Sequence, residues 1–188
     1  NTLKELIALA KDKPGQLNFG SLGSGTAMHL AIESFAHNAG FKPVTVFYKS
    51  SPDIITDLLG GRIQVAFAPI ATSLAHAKAG KVTALGVTSA NRSSMAPDIP
   101  TVAEAATPGY EVVLWTGLFA PAGTPTAIVE RLSQATVKAI GSESMQSRIK
   151  KAGGEPQVLG SKAFTDYVNQ DFVKWAEAVK AAGLKPLD

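Results

Sequence analysis

Short apolar segments alternate with amphipathic helical patterns along the first half of the chain. The run "LNFGS" predicts a strand over residues 17–21, and the apolar positions that follow repeat at helical spacing up to Gly40 (Met28, Ile32, Phe35, Ala39). The same order returns with "VTVFY" and a helix capped at Ser51-Pro52. "IQVAFA" and "VTALGVT" predict two further strands. The alternation predicts an α/β fold with a parallel-rich sheet flanked by helices.

The second half of the chain has a different pattern. Three prolines mark a connector, and "EVVLWTGLFAPAGTP" predicts one long strand closed by a helix cap at Thr124-Pro125. Three amphipathic helical stripes follow, which predict a helical C-terminal segment. We therefore divide the chain into an α/β lobe over residues 1–109, a crossing strand or hinge over 110–122, and a helical segment over 123–188.

The loop "GSLGSGT" between the first predicted strand and the second predicted helix is the strongest candidate site. Its glycines at positions 20, 23 and 25 allow a tight turn and the close approach of a ligand. The helix start would present unpaired N–H groups of residues 24–27 and a partial positive charge, which attract a carboxylate or a phosphate. The hydroxyls of Ser21, Ser24 and Thr26 would add donors. The plainer alternative is a capped helix with a flexible entry.

Three established motifs fail in this loop. The P-loop lysine is replaced by Thr26, the third glycine of the dinucleotide fingerprint is replaced by Met28, and the first glycine of a nucleophile elbow is replaced by Leu22. The sequence therefore predicts neither nucleotide hydrolysis nor a catalytic serine.

Other residues are predicted to wall the same crevice or to support it. His29, one turn into the helix, could donate to a bound anion, support the loop from behind, or be a plain capping histidine. Ala68 and Pro69 follow the third predicted strand, and ligands of open α/β sheets lie beyond the carboxyl ends of the strands. The "WTG" of residues 115–117 is typical either of a strand under a ligand or of a core tryptophan beside a bulge.

Composition narrows the function classes. The net charge of +3 is scattered over 188 residues, so no nucleic-acid partner is predicted. The chain has no cysteine and no histidine cluster with metal-site spacing, and we predict neither a metal nor a cofactor. No apolar stretch has the length of a membrane span, and no signal peptide is evident, so no direct membrane insertion is expected. The chain starts at Asn1 without methionine, and we expect it to be cut from a longer product.

Several segments in their order along the chain resemble the tripartite tricarboxylate transporter receptors of the Bug (TctC) family. They are "SLGSGTAMHL", "PDIITDLLGGRIQVAF", "HAKAGKVTALGVTSANR", "PDIPTVAEA", "GLFAPAGTP" and "KWAEAVKAAGLKP". The resemblance implies a type II periplasmic-binding-protein-like lobe, with the N-terminal lobe missing, and no catalysis. It also implies a periplasmic location, membrane transporter subunits as partners, and a C-terminal segment that packs on the missing lobe.

The resemblance matches the loop of residues 21–26, with His29, to a carboxylate-binding loop, and the position of Ala68 and Pro69 after the third predicted strand adds these two residues. The predicted ligand-binding set is Ser21, Gly23, Ser24, Gly25, Thr26, His29, Ala68 and Pro69. Many relatives carry aspartate where this chain has Ala68, so we expect a small plain carboxylate rather than an amino acid. Self-association of the fragment is left open. Two alternatives are also kept: an effector-binding domain of a transcriptional regulator, and an α/β enzyme that acts on a carboxylated or phosphorylated substrate.

Overall fold

The computed structural model describes residues 2–181 and 183. Helices and strands follow one another in this order: α1 (Leu3–Asp12), β1 (Asn18–Leu22), α2 (Ala27–Ala39), β2 (Val44–Tyr48), α3 (Ser51–Leu59), β3 (Val65–Ala66), α4 (Ile70–Lys78), α5 (Val102–Ala105), α6 (Thr126–Gly141), α7 (Glu143–Lys151) and α8 (Ser161–Ala181). The predicted α/β class is confirmed.

The three strands form one parallel sheet in the order β2-β1-β3. β1 pairs with β2 along its whole length, from Asn18 opposite Val44 to Leu22 opposite Tyr48. It pairs with β3 over two residues only, Phe19 opposite Val65 and Gly20 opposite Ala66. Two parallel neighbours make β1 the central strand, so the loop that follows it starts from the most firmly held position of the sheet.

Apolar side chains cover both faces of β1. On one face Phe19 stacks on Phe41, with ring centroids 5.7 Å apart, and Phe41 in turn contacts Phe35 of α2. On the other face a Cβ built at Gly20 would lie 2.5 Å from Ile63 Cδ1 and 2.9 Å from Ile54 Cγ2. Successive residues of a strand face opposite sides. The sheet is therefore sandwiched between α2 and α3, as predicted.

Side-chain caps mark several of the helix starts. Thr2 and Glu5 form a capping box at α1, and Thr101 forms the same arrangement at α5 with the glutamate three residues on. The predicted cap of α3 is wrong by one residue, because Ser50 and not Ser51 accepts the N–H of Asp53. The predicted cap at Thr124 is also wrong, since its hydroxyl donates to Pro121 O and α6 has no side-chain cap.

Two predicted strands are not found among the described residues. The segment "VTALGVT" makes one isolated parallel bridge, Val87 to Thr101, and no strand. Residues 111–120 have no assigned helix or strand, although their composition is strongly apolar. The third predicted strand, over residues 63–68, shrinks to Val65–Ala66. Apolar composition indicates burial, but a strand also needs a continuous ladder of hydrogen bonds to a neighbour. In the described residues these segments make isolated bonds instead: Val87 bridges with Thr101, and the Val112 N–H donates to Thr88 O at 2.8 Å.

The chain divides into two compact units. One contains the described residues up to Leu114 and those from Glu177 onward, and the other is Trp115–Ala176. In the first unit Tyr110 is only 2% exposed, and its hydroxyl donates to the carbonyl of Ala31 in α2 at 2.9 Å. In the described residues no helix is long and apolar enough to cross a membrane.

Candidate functional site

The order of the strands places two loops beside each other. The chain leaves β1 for β2 on one side and then crosses to β3 on the other side of β1. Such a reversal opens a crevice at the carboxyl ends of the two strands between which it occurs. Here these are β1 and β3, followed by the loop of residues 23–26 and by residues 67–69. The candidate residues of the two loops therefore directly follow the two strands, β1 and β3, between which the direction of strand order reverses (the switch point of the sheet).

The loop after β1 is held by its own side chains. Thr26 is the N-cap of α2 and accepts the N–H of His29 at 3.3 Å. Its hydroxyl lies 2.6 Å from the carbonyl oxygen of Leu22 and 3.0 Å from that of Gly23, to which it can donate. Gly25 has a φ of 75°, a left-handed conformation that a residue with a Cβ disfavours. The sharp turn into α2 therefore depends on Gly25 and Thr26 together.

The same loop exposes the start of α2. Ser24 and Gly25 are exposed, and Gly23 and Thr26 are partly exposed. The N–H groups of Ala27 and Met28 have no partner within the helix because they belong to its first turn. The first turn carries no acidic residue that would neutralise the positive end of the helix dipole. This arrangement suits a carboxylate oxygen at the helix start.

His29 lies behind the loop rather than on its surface. It is 5% exposed, and its Nδ1 accepts the N–H of Gly25 at 3.1 Å. Its Nε2 lies 3.5 Å from Glu33 Oε1. Both ring nitrogens thus face groups of the protein, which matches the supporting role among those considered for this residue.

Two residues at the front of the loop have structural surroundings. Ser21 is fully buried, and its hydroxyl donates to Leu22 O at 2.9 Å, so it reaches no solute in this conformation. The sequence predicts that Gly20 lets a ligand approach, but this glycine lies within β1 and makes room for Ile54 and Ile63. The glycine at position 20 therefore serves the packing of α3 against the sheet.

The second loop of the crevice carries few polar side chains. Ala68 is half-buried and Pro69 is exposed. Pro69 precedes α4 without a side-chain cap, and its carbonyl accepts the hydroxyls of Thr72 and Ser73 at 2.9 and 3.0 Å. This side of the crevice offers backbone and apolar surface rather than charge.

A polar network at the end of β2 was missed at the sequence level. The Tyr48 hydroxyl donates to Asp57 Oδ2 at 2.9 Å, and Arg62 binds the other oxygen of the same carboxylate. The Arg62 guanidinium and the Tyr48 hydroxyl lower the pKa of Asp57 below its ordinary value. Burial and then Asp57 raise the pKa of Tyr48. Asp57 thus belongs to this network, whereas Asp53 is the acidic residue in the first turn of α3.

The tryptophan of the "WTG" segment belongs to an aromatic cluster within the unit Trp115–Ala176. Its indole packs edge-on to Phe164 and Tyr167, and its Nε1 donates to Asp171 Oδ2 at 2.7 Å. A Cβ at Gly117 would collide with the Phe164 ring. These contacts agree with the core interpretation of Trp115.

Over residues 2–181 and 183, no group of three or more His, Asp or Glu side chains is placed to hold a metal ion.

The chain matches the sequence profile of the tripartite tricarboxylate transporter family receptor (TctC) over residues 1–184. The chain belongs to this family. Its members are substrate-binding receptors and not enzymes, so the enzyme alternative is dropped.

Sequence and structural relatives agree with this assignment. A UPF0065 protein in the tcbD-tcbE intergenic region of Pseudomonas sp. (strain P51) is 37% identical over 183 residues, which are 94% of this chain and 53% of that protein. The solved structure of R. palustris Rpa4515 with adipate is 32% identical, with a TM-score of 0.85 over 99% of this chain and 62% of that chain. The periplasmic binding protein BugD is 29% identical, with a TM-score of 0.76 over 98% of this chain and 62% of that chain. This TctC chain thus spans between about half and two thirds of the length of these three relatives.

Proposed function

We propose that this chain is part of a periplasmic receptor that captures a small organic dicarboxylate for a tripartite tricarboxylate-type transporter. The family assignment supports the receptor function and the transporter as its partner. The solved relative at 32% identity holds adipate, which supports a linear dicarboxylate as the ligand class. The observation that carries the proposal is the exposed start of α2 beside the left-handed Gly25, at the switch point of the sheet.

One carboxylate would be bound at this helix start. The backbone N–H groups of Ala27 and Met28 and the hydroxyl of Ser24 are the donors that we assign to it. Gly23 and Gly25 let the oxygen approach the backbone, and Ala68 and Pro69 line the other wall of the crevice. Ser21 is not among the direct contacts that we propose, because its side chain is buried.

The second carboxylate would be bound by the part of a full-length receptor that this chain does not contain. Exposed apolar side chains in the unit Trp115–Ala176 support this division, since Leu118, Phe119 and Phe172 are 77%, 70% and 76% exposed. Large apolar surfaces mark interaction sites. We propose that residues 110–122 form the hinge and that the helical segment 123–188 packs on the remaining lobe.

The ligand class is tested by three matched compounds: adipate, 2-aminoadipate and adipamide. Each is titrated into the 15N-labelled chain while the amide resonances of residues 23–28 are followed. We expect adipate to shift these resonances at the lowest concentration, 2-aminoadipate to need more because Ala68 offers no acidic partner for its amino group, and adipamide to have no effect. A preference for 2-aminoadipate would contradict the plain-carboxylate assignment, and an equal response to adipamide would contradict carboxylate binding.

A further inference from the structure

We infer that His29 is a positioning residue of the carboxylate loop, which fixes the direction of the Gly25 N–H group and thereby determines which backbone amides face the solute. The inference rests on the proposed function in one respect, namely that a carboxylate binds at the start of α2. The contacts that support it are all contacts within the protein.

The hydrogen bond from Gly25 determines the tautomer of the His29 ring. Nδ1 accepts the N–H of Gly25 at 3.1 Å, so this nitrogen carries no proton. The proton of the neutral ring is therefore on Nε2, which lies 3.5 Å from Glu33 Oε1. With one nitrogen accepting and the other facing Glu33, the ring has no N–H that points to a solute.

Phe47 and Glu33 hold the His29 ring in place. The imidazole is 5% exposed and packs edge-on to Phe47 of β2, with ring centroids 5.1 Å apart. Glu33 Oε1, which faces Nε2, also lies 3.4 Å from the Thr45 hydroxyl of β2. A chain of contacts thus runs from the loop through α2 to β2, and it transfers the rigidity of the sheet to Gly25.

The hydrogen bond between Gly25 and His29 fixes the orientation of a peptide unit in the loop. A peptide unit beside a left-handed glycine can rotate at low cost, because no Cβ opposes it. The hydrogen bond to Nδ1 turns the Gly25 N–H toward α2, so this amide does not bind the solute. The donors left for a carboxylate are those of the neighbouring residues, with Ala27 and Met28 in the first turn of the helix. His29 therefore selects the set of donors without touching the solute.

Two variants separate this role from mere packing. In His29→Asn the amide Oδ1 takes the place of Nδ1, two bonds from Cβ, and can accept the Gly25 N–H. In His29→Gln the amide group lies one bond further out, near the former Nε2, so it can meet Glu33 but not Gly25. We expect His29→Asn to keep both the Gly25 amide exchange rate and the adipate dissociation constant within about threefold of the parent values. We expect His29→Gln to change both quantities by about tenfold, because this is the factor that one hydrogen bond of ordinary strength gives.

A measurement on the unchanged chain completes the test and needs no variant to fold. Long-range 1H–15N correlation of the imidazole reports the tautomer, and we expect the Nε2–H form in the absence of ligand. An Nδ1–H ring, or equal Gly25 exchange in the two variants, would overturn the inference. Both readings are made without adipate, so a chain that shows the expected tautomer and exchange but ignores adipate would overturn the proposed function instead. If adipate binds the parent and both variants equally, the loop does not depend on His29 and the inference is wrong.

Discussion

At the scale of single residues, Gly20 in β1 and Gly25 in the loop after it each require glycine for a different physical reason. Gly20 lacks a side chain because Ile54 and Ile63 occupy that space, whereas Gly25 lacks one because its φ is 75°. The sequence shows the same letter at both positions. It predicts the loop from the spacing of the glycines, but it cannot tell a packing glycine from a turning one, because the first depends on residues more than thirty positions away.

Gly20→Ala is expected to lower the free energy of unfolding by about 1–3 kcal/mol, the usual cost of overpacking a filled core. The matched control is Gly141→Ala, because an added Cβ at Gly141 meets nothing within 4 Å and the backbone there is not left-handed. The control is expected to leave stability unchanged or to raise it by up to about 1 kcal/mol. Urea denaturation measures both, and equal midpoints for the two variants would show that Gly20 is not packed as described.

Gly25→Ala is expected to cost about 1–2 kcal/mol, because alanine disfavours a left-handed φ. It is also expected to weaken the response of the amides of Ala27 and Met28 to adipate, since the turn that leads to them changes. Ser24→Ala, next to it and exposed, is the control and should leave the free energy of unfolding within about 0.5 kcal/mol of the parent. A Gly25→Ala chain as stable as the Ser24→Ala chain would argue against the left-handed turn.

The Asp57 network gives stability a dependence on acid pH. The pKa of Asp57 is lower in the folded chain than in the unfolded chain, because Arg62 and Tyr48 stabilise the carboxylate. Its contribution is therefore present above the unfolded value of about 4 and is lost as the pH falls through the folded value. We expect the free energy of unfolding to fall more steeply below about pH 4 in the parent than in Asp57→Asn. Parallel pH curves for the two chains would contradict the network, and Arg62→Gln should give an intermediate curve.

At the scale of helices and strands, local signals were predictable and pairing was not. The capping boxes at Thr2 and Thr101 each need a threonine and a glutamate three residues on, so the sequence alone determines them. β2 has the predicted bounds of Val44–Tyr48 because its partner β1 is present. Residues 111–120 have an equally apolar pattern but no neighbouring strand in the described chain. The pattern of a segment predicts that it is extended, and only the rest of the molecule decides whether it becomes a strand.

Some features of the candidate site could likewise be predicted from local sequence, and others could not. The spacing of glycines and hydroxyls predicted a helix start exposed after β1, and the structure has one at Ala27. The supporting role of His29 stayed open because it depends on the orientation of the Gly25 peptide unit, which the sequence does not encode locally. The burial of Ser21 was not predicted, because it depends on which face of β1 is covered.

Asp171 of α8 is a shared hydrogen-bond acceptor for two tryptophan side chains. Asp171 Oδ2 accepts both indole N–H groups, from Trp115 at 2.7 Å and from Trp175 at 3.1 Å. These are the two tryptophans of the chain, so its tryptophan fluorescence reports on this one carboxylate. Asp171→Ala is expected to shift the emission maximum and to lower the free energy of unfolding by about 1–3 kcal/mol, because two partly buried donors lose their acceptor.

Asp171→Asn is the control for that change, since its amide oxygen can still accept from an indole N–H. We expect its emission to stay closer to the parent and its loss of stability to be smaller. Identical spectra for the parent and Asp171→Ala would show that the two indoles do not share this acceptor.

At the scale of the whole molecule, the proposed function assigns this chain one end of the ligand. We propose donors for a single carboxylate in its loop, and the chain spans 53% and 62% of the length of two of its relatives. We therefore expect this chain to bind a dicarboxylate weakly and through one end. A full-length receptor would hold both ends, and the closure of its two lobes would follow from contacts that exist only when both reach the ligand.

A crystal structure of this chain with adipate would show directly whether the start of α2 binds one carboxylate. We predict a carboxylate whose oxygens lie about 3 Å from the backbone nitrogens of Ala27 and Met28, with the rest of the ligand extending away from the loop. The Gly25 nitrogen should remain bonded to His29 and not to the ligand. Adipate bound at another surface, with the start of α2 uncontacted at saturating concentration, would contradict carboxylate binding at this helix start.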